Sequence, residues 1–263
     1  MIISHKHKFI FFKPMKVGGS SIEVALTSHC GNEDILTGTS YMEEVDTDMF
    51  SYLSQNNLDV VETNWVLVEK NIIMEPIFSA HITPGELEEK YKDWDKIKDY
   101  FKFSIVRNPW DVLVSYLWWS FYGYTVIGEK PNKCAHESIK PMIYDSPAVL
   151  KAKLQNFCES PLNFETADVG LIRKNDTVLE WFSRLQQSFF LNKDIKSIIR
   201  FENIQNDFNK TCNEIDVPCA QLPRLKSTIR KSKLNYQNYY NSYMRDFVGD
   251  YFKETIEKFD YKF

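Results

Sequence analysis

The sequence predicts an α/β fold, three layers deep, with a mostly parallel sheet between helices. Three observations carry this expectation. Lys8–Phe12 is a short apolar run, the pattern of a strand covered on both faces, and Phe101–Val106 and Ser197–Phe201 read as two further strands. Each leads into a turn or cap signal and then a helical pattern, and recurring strand–loop–helix units favour a parallel sheet with helices on both sides. The 263 residues, 43% hydrophobic and 26% charged, are those of a globular chain long enough for one α/β domain. A single domain over residues 1–263 is therefore expected, with loop-rich insertions at about 31–75 and 123–175.

In chain order, Pro14 and the glycines end the first run. Ile22, Val24, Ala25 and Leu26 then predict a helix closing at Cys30-Gly31, with glycine in the C′ position. Asp46–Leu53 reads as a short helix, and Asn64–Val68 and Ile72–Phe78 as strands. Thr83-Pro84-Gly85-Glu86 is a sharper signal: Thr83 suits the N-cap, Pro84 the first helical position, and Glu86 completes a capping box. Ile82 and Leu87 supply the hydrophobic staple, and His81 falls just outside the helix N-terminus. Asn108 caps and Pro109 opens a helix that continues through the aromatic run Trp110 to Tyr122. Residues 123–148 read as a long surface loop. Helices follow over 148–158 and 176–191, and Asn203 caps another that runs to Ile215. A basic loop spans Pro223 to Lys233. Met244, Phe247, Val248, Tyr251, Phe252 and Ile256 trace one face of a final helix.

Net charge is −4, so no global field draws the chain to nucleic acid, and any anion site has to be local. Phe9 to Phe12 is too short for the apolar core of a secretory signal, and no run nears the roughly 18 apolar residues of a bilayer span. The five cysteines, at 30, 134, 158, 212 and 219, are odd in number and scattered, which suggests reduced thiols rather than a disulfide framework or a zinc site. A cytoplasmic location is expected.

Ligands of parallel sheets bind beyond the carboxyl ends of the strands, so the loops after Phe12, Val106 and Phe201 are expected around one site. The first holds KPMKVGGSSIE, residues 13–23. Glycines let backbone N–H groups approach an anion, and the helix that follows adds its dipole. Lys16, Val17, Gly18, Gly19, Ser20 and Ser21 are thus a candidate phosphate cradle. It is not the nucleotide-triphosphate loop GxxxxGK[ST], because Lys16 precedes the glycines and no acidic pair follows a strand to hold a metal. Ser20-x-x-Glu23 is also a capping box, so Ser20 serves either the helix or a ligand. The second constellation is FSIVRNPWDVLVSY, residues 103–116. Arg107 ends an apolar strand, where a spare charge would be costly. Ser115 lies about 9 Å along the helix axis from Pro109, at 1.5 Å per residue. A guanidinium fork and a hydroxyl can converge on a phosphate there.

Together and in this order, the two segments resemble the paired signatures of the sulfotransferase superfamily. They are most similar to the carbohydrate-type family that includes the heparan sulfate 2-O-sulfotransferases, and within it to soluble bacterial and viral members. IIRFENIQNDF and Phe259-Asp260-Tyr261 resemble that family's C-terminal portion. The resemblance implies a P-loop-like α/β/α fold. It also implies transfer of a sulfuryl group from PAPS (3′-phosphoadenosine 5′-phosphosulfate) to a hydroxyl, leaving adenosine 3′,5′-bisphosphate, with no metal. By the same resemblance Lys16 contacts the phosphosulfate and neutralises charge on the leaving phosphate. Gly18, Gly19, Ser20 and Ser21 would cradle that phosphate, and Arg107 and Ser115 would hold the 3′-phosphate. The family commonly has threonine where Ser20 stands, and serine keeps the hydroxyl.

The nearest candidate base is His81, in FSAHITPGEL. Its intrinsic pKa suits proton abstraction near neutrality, and its position matches the catalytic histidine of the family it resembles. Glu75 and Glu86 are weaker candidates, and the capping box already accounts for Glu86. Arg224, Lys226, Arg230, Lys231 and Lys233 crowd the basic loop, which is either a solvated segment or, as the resemblance favours, a nucleotide contact through Arg230. Trp110, Trp118, Trp119, Phe121, Tyr122 and Tyr124 read mostly as core packing. The expected acceptor is a hydroxyl of a carbohydrate or small metabolite. Two other readings stay open on sequence alone: a P-loop-type small-molecule kinase, against which the displaced lysine speaks, and a non-catalytic nucleotide- or glycan-binding protein on the same fold.

Overall fold

The structure, a computed structural model, describes residues 1–31, 33–36, 80–120, 146–161, 171, 173, 175–225, 230 and 234–263. The chain divides into two compact units. The first is Met1–Val106 with Asp168–Gly170 and Ser188–Lys226. The second is Arg107–Ala167 with Leu171–Gln187 and Ser227–Phe263.

The first unit carries an open sheet whose five described strands are β1 (Ile2–Ser4), β2 (Phe9–Phe11), β3 (Ile35–Leu36), β4 (Phe101–Val106) and β5 (Ser197–Arg200), in the order β3-β1-β2-β4-β5. The three predicted strands are β2, β4 and β5, and they pair in parallel. The α/β class holds, but the sheet is mixed rather than mostly parallel. β1 pairs antiparallel with β2, Ile3 opposite Ile10, and β3 pairs antiparallel with β1. Three residues are too few to show a period, and the basic turn His5–Lys8 masks the hairpin in the sequence. Lys8 closes that turn with φ 57. Asp34 then ties it down, accepting from Ser4 Oγ at 2.8 Å, from the His5 N–H at 2.7 Å and from the Gly31 N–H at 2.9 Å.

Burial explains the apolar runs. Phe9, Ile10, Phe11, Phe103, Ile105 and Val106 are all buried, and the rings of Phe11 and Phe103 stack with centroids 5.1 Å apart. Each such side chain contributes roughly 1.5–3 kcal/mol on leaving water. Lys102 sits inside β4 yet is almost wholly buried. Its ammonium donates to the Lys98 carbonyl and lies 5.2 Å from the centre of the Trp94 ring, which offsets part of the desolvation that lowers its pKa.

Helix α1 (Gly19–Thr27) follows β2. It ends at a right-handed Ser28, so Gly31 is not its C′ residue; the Gly31 N–H serves Asp34 instead. Helix α2 (Pro84–Lys90) starts as predicted: Thr83 Oγ1 accepts from the Glu86 N–H at 3.2 Å, and Glu86 Oε2 accepts from the Thr83 N–H at 3.0 Å. Ile82 and Leu87 are buried, as a staple requires. The short α3 (Trp94–Ile97) leads into β4.

In the second unit α4 (Pro109–Trp118) is capped by Asn108, whose Oδ1 accepts from the N–H groups of Trp110 at 3.1 Å and Asp111 at 3.4 Å. Its described aromatics are packing residues. Trp118 Nε1 donates to Tyr239 Oη at 3.0 Å, and Trp110 Nε1 donates to the Arg245 carbonyl at 2.9 Å. Tyr116 stacks on Phe182 at 4.5 Å. Helices α5 (Pro147–Glu159) and α6 (Val178–Ser188) match the predicted pair. In the first unit β5 passes through a 3₁₀ turn, Phe201–Asn203, into α7 (Ile204–Glu214). Asn203 does not cap α7; its amide donates to Asp207 at 2.9 Å. The predicted final helix is two, α8 (Ser242–Tyr251) and α9 (Lys253–Phe259), broken at Phe252 with φ −108 and ψ 17. Met244, Val248 and Phe252 stay buried across the break, so the apolar spacing ran on where the backbone did not. The segments Asp46–Leu53, Asn64–Val68 and Ile72–Phe78 and most of both insertions lie outside the described residues.

Candidate functional site

The first unit builds its site from the loop between β2 and α1. Lys16 takes φ 63, a left-handed conformation uncommon for residues other than glycine and one that clusters at ligand loops. Gly18 takes φ 80 and is the N-cap of α1. A Cβ on Gly18 would lie 2.9 Å from the Phe201 ring, and one on Gly19 would lie 2.5 Å from Lys13 Cγ. Both glycines therefore have reasons internal to the protein, a ring on one side and a lysine chain on the other. The Ser20 capping box does not form, because no side chain caps α1 and Glu23 is drawn elsewhere. Ser21 is buried, and its N–H donates to the Gly18 carbonyl at 3.1 Å. Val17 is buried as well.

Glu23 faces the underside of the loop. It is 4% exposed, accepts from Lys13 Nζ at 2.5 Å, and accepts from the α-amino group of Met1 at 3.1 Å. Burial alone would push the Glu23 carboxyl up, but the Lys13 charge and the two hydrogen bonds outweigh it and hold it below the usual range. Burial pushes the Met1 amine down to about 5.

His81 closes the group. Its Nδ1 lies 2.7 Å from the carbonyl oxygen of Lys13, three residues before Lys16. A carbonyl only accepts, so Nδ1 carries the proton and the ring's lone pair is at Nε2. The ring keeps some solvent-accessible surface but is enclosed by protein on most sides. That burial, with the Lys13 charge, pushes its pKa down to about 3, so the imidazole is neutral near pH 7. The structure thus brings His81 to the strand end that launches the glycine loop, across 68 positions of chain. Glu86 is held by the α2 capping box, and Glu75 lies outside the described residues.

The second unit gathers Arg107 and Arg230 on one carboxylate. Arg107 donates Nε and Nη2 to Asp111 Oδ2 at 2.9 and 2.6 Å, and Arg230 donates Nη1 to Asp111 Oδ1 at 2.7 Å. Ser115 is half-buried on α4, one turn beyond Asp111 and on the same face. Of the other basic-loop residues, Lys226, Lys231 and Lys233 lie outside the described residues.

Three members of these groups were not singled out for these pairings by the sequence: Lys13, Glu23 and Asp111. The spacing of four between Arg107 and Asp111 on a helix start is a readable ion-pair signal. The Lys13–Glu23 pair spans a loop and has none. Among the described residues no cluster of three His, Cys, Asp or Glu side chains could hold a metal, and no helix is long and apolar enough to cross a membrane. Compared with family models, curated proteins and solved structures, the chain finds no match.

Proposed function

We propose that the protein is a PAPS-dependent sulfotransferase acting on a hydroxyl, with a carbohydrate or small metabolite as acceptor, in the cytoplasm, on a P-loop-like α/β/α arrangement of its sheet and helices. The observation that carries this reading is the bond from His81 Nδ1 to the Lys13 carbonyl, which sets a neutral imidazole beside the glycine loop. A sulfuryl donor needs an anion cradle, a cation for the leaving phosphate and a proton acceptor near both. No side chain caps the start of α1, whose dipole favours an anion there, and Lys16 stands just before it.

In this reading PAPS supplies the sulfuryl group. The acceptor oxygen bonds to sulfur as the bond from sulfur to the bridging phosphate oxygen breaks. Lys16 meets the charge that builds on the leaving phosphate, which departs as adenosine 3′,5′-bisphosphate. His81 takes the hydroxyl proton at Nε2. Gly18, Gly19, Ser20 and Ser21 hold the 5′-phosphate, and Arg107, Ser115 and Arg230 hold the 3′-phosphate. A base pushed down to about 3 is a weak one, but the Lys13 charge is part of the cause, and an anion in the loop opposes that charge and raises the His81 pKa toward its working range.

The test is a thermal-shift titration with adenosine 3′,5′-bisphosphate and with ADP, each with and without magnesium. This is followed by transfer of labelled sulfate from PAPS to a panel of sugars and small alcohols. Stabilisation by the bisphosphate without magnesium is expected, about 2.7 kcal/mol at 100-fold over Kd. His81→Ala is expected to keep that binding and lose transfer about 10²–10⁴-fold. Stabilisation only by ADP with magnesium would replace this reading with a kinase. Binding without transfer to any acceptor, unchanged in His81→Ala, would make the protein a nucleotide binder.

A further inference from the structure

The two arginines assigned to the 3′-phosphate end on a carboxylate that the proposed reaction does not use. Each oxygen of Asp111 serves one guanidinium: Oδ2 takes Nε and Nη2 of Arg107, and Oδ1 takes Nη1 of Arg230. The side chains of Arg107, Asp111 and Arg230 are 11%, 17% and 23% exposed, neither sealed nor in bulk water. Arg230 also donates Nη2 to the Leu234 carbonyl at 2.9 Å and lies 5.7 Å from the centre of the Tyr239 ring. With five donors in its plane, Arg230 has three more N–H groups beyond these two bonds.

We propose that Asp111 is a positioning residue for phosphate recognition: by holding one guanidinium on each oxygen, it sets both forks for a phosphate monoester before the ligand arrives. The inference rests on the sulfotransferase reading and names the residue that builds its 3′-phosphate contacts. Asp111 stands in the first turn of α4, where its own N–H is tied to Asn108 Oδ1 at 3.4 Å, so the carboxylate is fixed by a capped helix. Long arginine side chains lose their rotamer freedom to that carboxylate during folding, and the loss is then not repeated at binding. The opposing effect is repulsion between Asp111 and an incoming phosphate. Taken alone, the three groups sum to +1, and two guanidiniums face each carboxylate charge, so attraction outweighs repulsion on the ligand side.

Isothermal titration with adenosine 3′,5′-bisphosphate and adenosine 5′-monophosphate tests this in wild type, Asp111→Asn, Arg230→Gln and the double variant. Wild type is expected to prefer the bisphosphate. Asp111→Asn is expected to shrink that preference at least tenfold while leaving the monophosphate affinity unchanged. The double variant is expected to lose less than the sum of the two single losses, because part of the Asp111 effect runs through Arg230 and part through Arg107. Tighter bisphosphate binding in Asp111→Asn would make the carboxylate a competitor and overturn the proposal. Equal weakening of both nucleotides, or full additivity in the double variant, would overturn it too. A wild type without the preference sinks the donor reading together with this one, whereas a preference that survives Asp111→Asn sinks only the role of Asp111. If Asp111→Asn does not fold, Asp111→Glu keeps the charge and displaces the forks by one methylene, and an unchanged preference there overturns the proposal.

Discussion

Each unit holds a carboxylate between two nitrogen groups, and the two differ in how much water the partners keep. Glu23 sits between Lys13 and the Met1 amine, with both side chains of its lysine pair 5% exposed. Asp111 sits between Arg107 and Arg230, where every partner keeps some water. An amine can give up its proton when buried, and the Met1 amine, pushed down to about 5, does so at neutral pH. Glu23 then balances Lys13 alone, and that pair is closed. A guanidinium has no such escape at any working pH. The chemistry of the cations, rather than that of the carboxylates, decides which trio keeps a net charge.

The largest effect should come from breaking the closed trio. Glu23→Gln leaves the Lys13 ammonium buried without its countercharge and should cost about 3–5 kcal/mol in urea unfolding. Asp111→Asn, at a part-exposed pair, should cost about 1 kcal/mol or less. Equal costs would erase the distinction between the two sites. Next in size is Gly19→Ala, whose Cβ would meet Lys13 Cγ at 2.5 Å. Overpacking of this kind costs about 1–3 kcal/mol. Glu23 pins the lysine, so the same change in a Glu23→Gln background should cost less; an undiminished cost would show that the lysine chain is held by something else.

The last effect is a pH slope, which vanishes at neutral pH. The folded His81 pKa is pushed down to about 3 from an ordinary 6.5, so the unfolded chain takes up the proton first as pH falls. The stability contributed by the neutral ring is complete above about pH 6.5 and is lost progressively toward pH 3. His81→Gln should flatten the fall in thermal midpoint between pH 6.5 and 4. A variant with the wild-type slope would place the acid sensitivity elsewhere.

Local cap signals survived where nothing else claimed their side chains. Thr83 with Glu86, and Asn108 with Pro109, formed their caps because all the atoms involved lie within one helical turn. Ser20 with Glu23 has the same spacing and failed, because the Lys13 ammonium and the Met1 amine N–H both hydrogen-bond the glutamate. β1 had no sequence signature, since three residues become a strand only beside β2. Helix periodicity carried across Phe252, where the buried spacing persists and the backbone leaves helical φ/ψ. In the first unit the sequence singled out the glycine loop and His81, and the structure sets His81 against the Lys13 carbonyl at the start of that loop. Lys13 and Glu23 were not legible, because a bond across a loop leaves no period to read.

The antiparallel strand β1 also changes what the chain must give up to form its sheet. Pairing Ile3 with Ile10 closes a short loop, whereas joining β2 to β4 brings positions 12 and 104 together. Closure entropy grows as the logarithm of loop length, so the local pairing is favoured by about 2 kcal/mol on this count alone. β2, the strand that launches the glycine loop, thus has a neighbour from its own hairpin, and the long-range parallel partner joins an edge that is already formed.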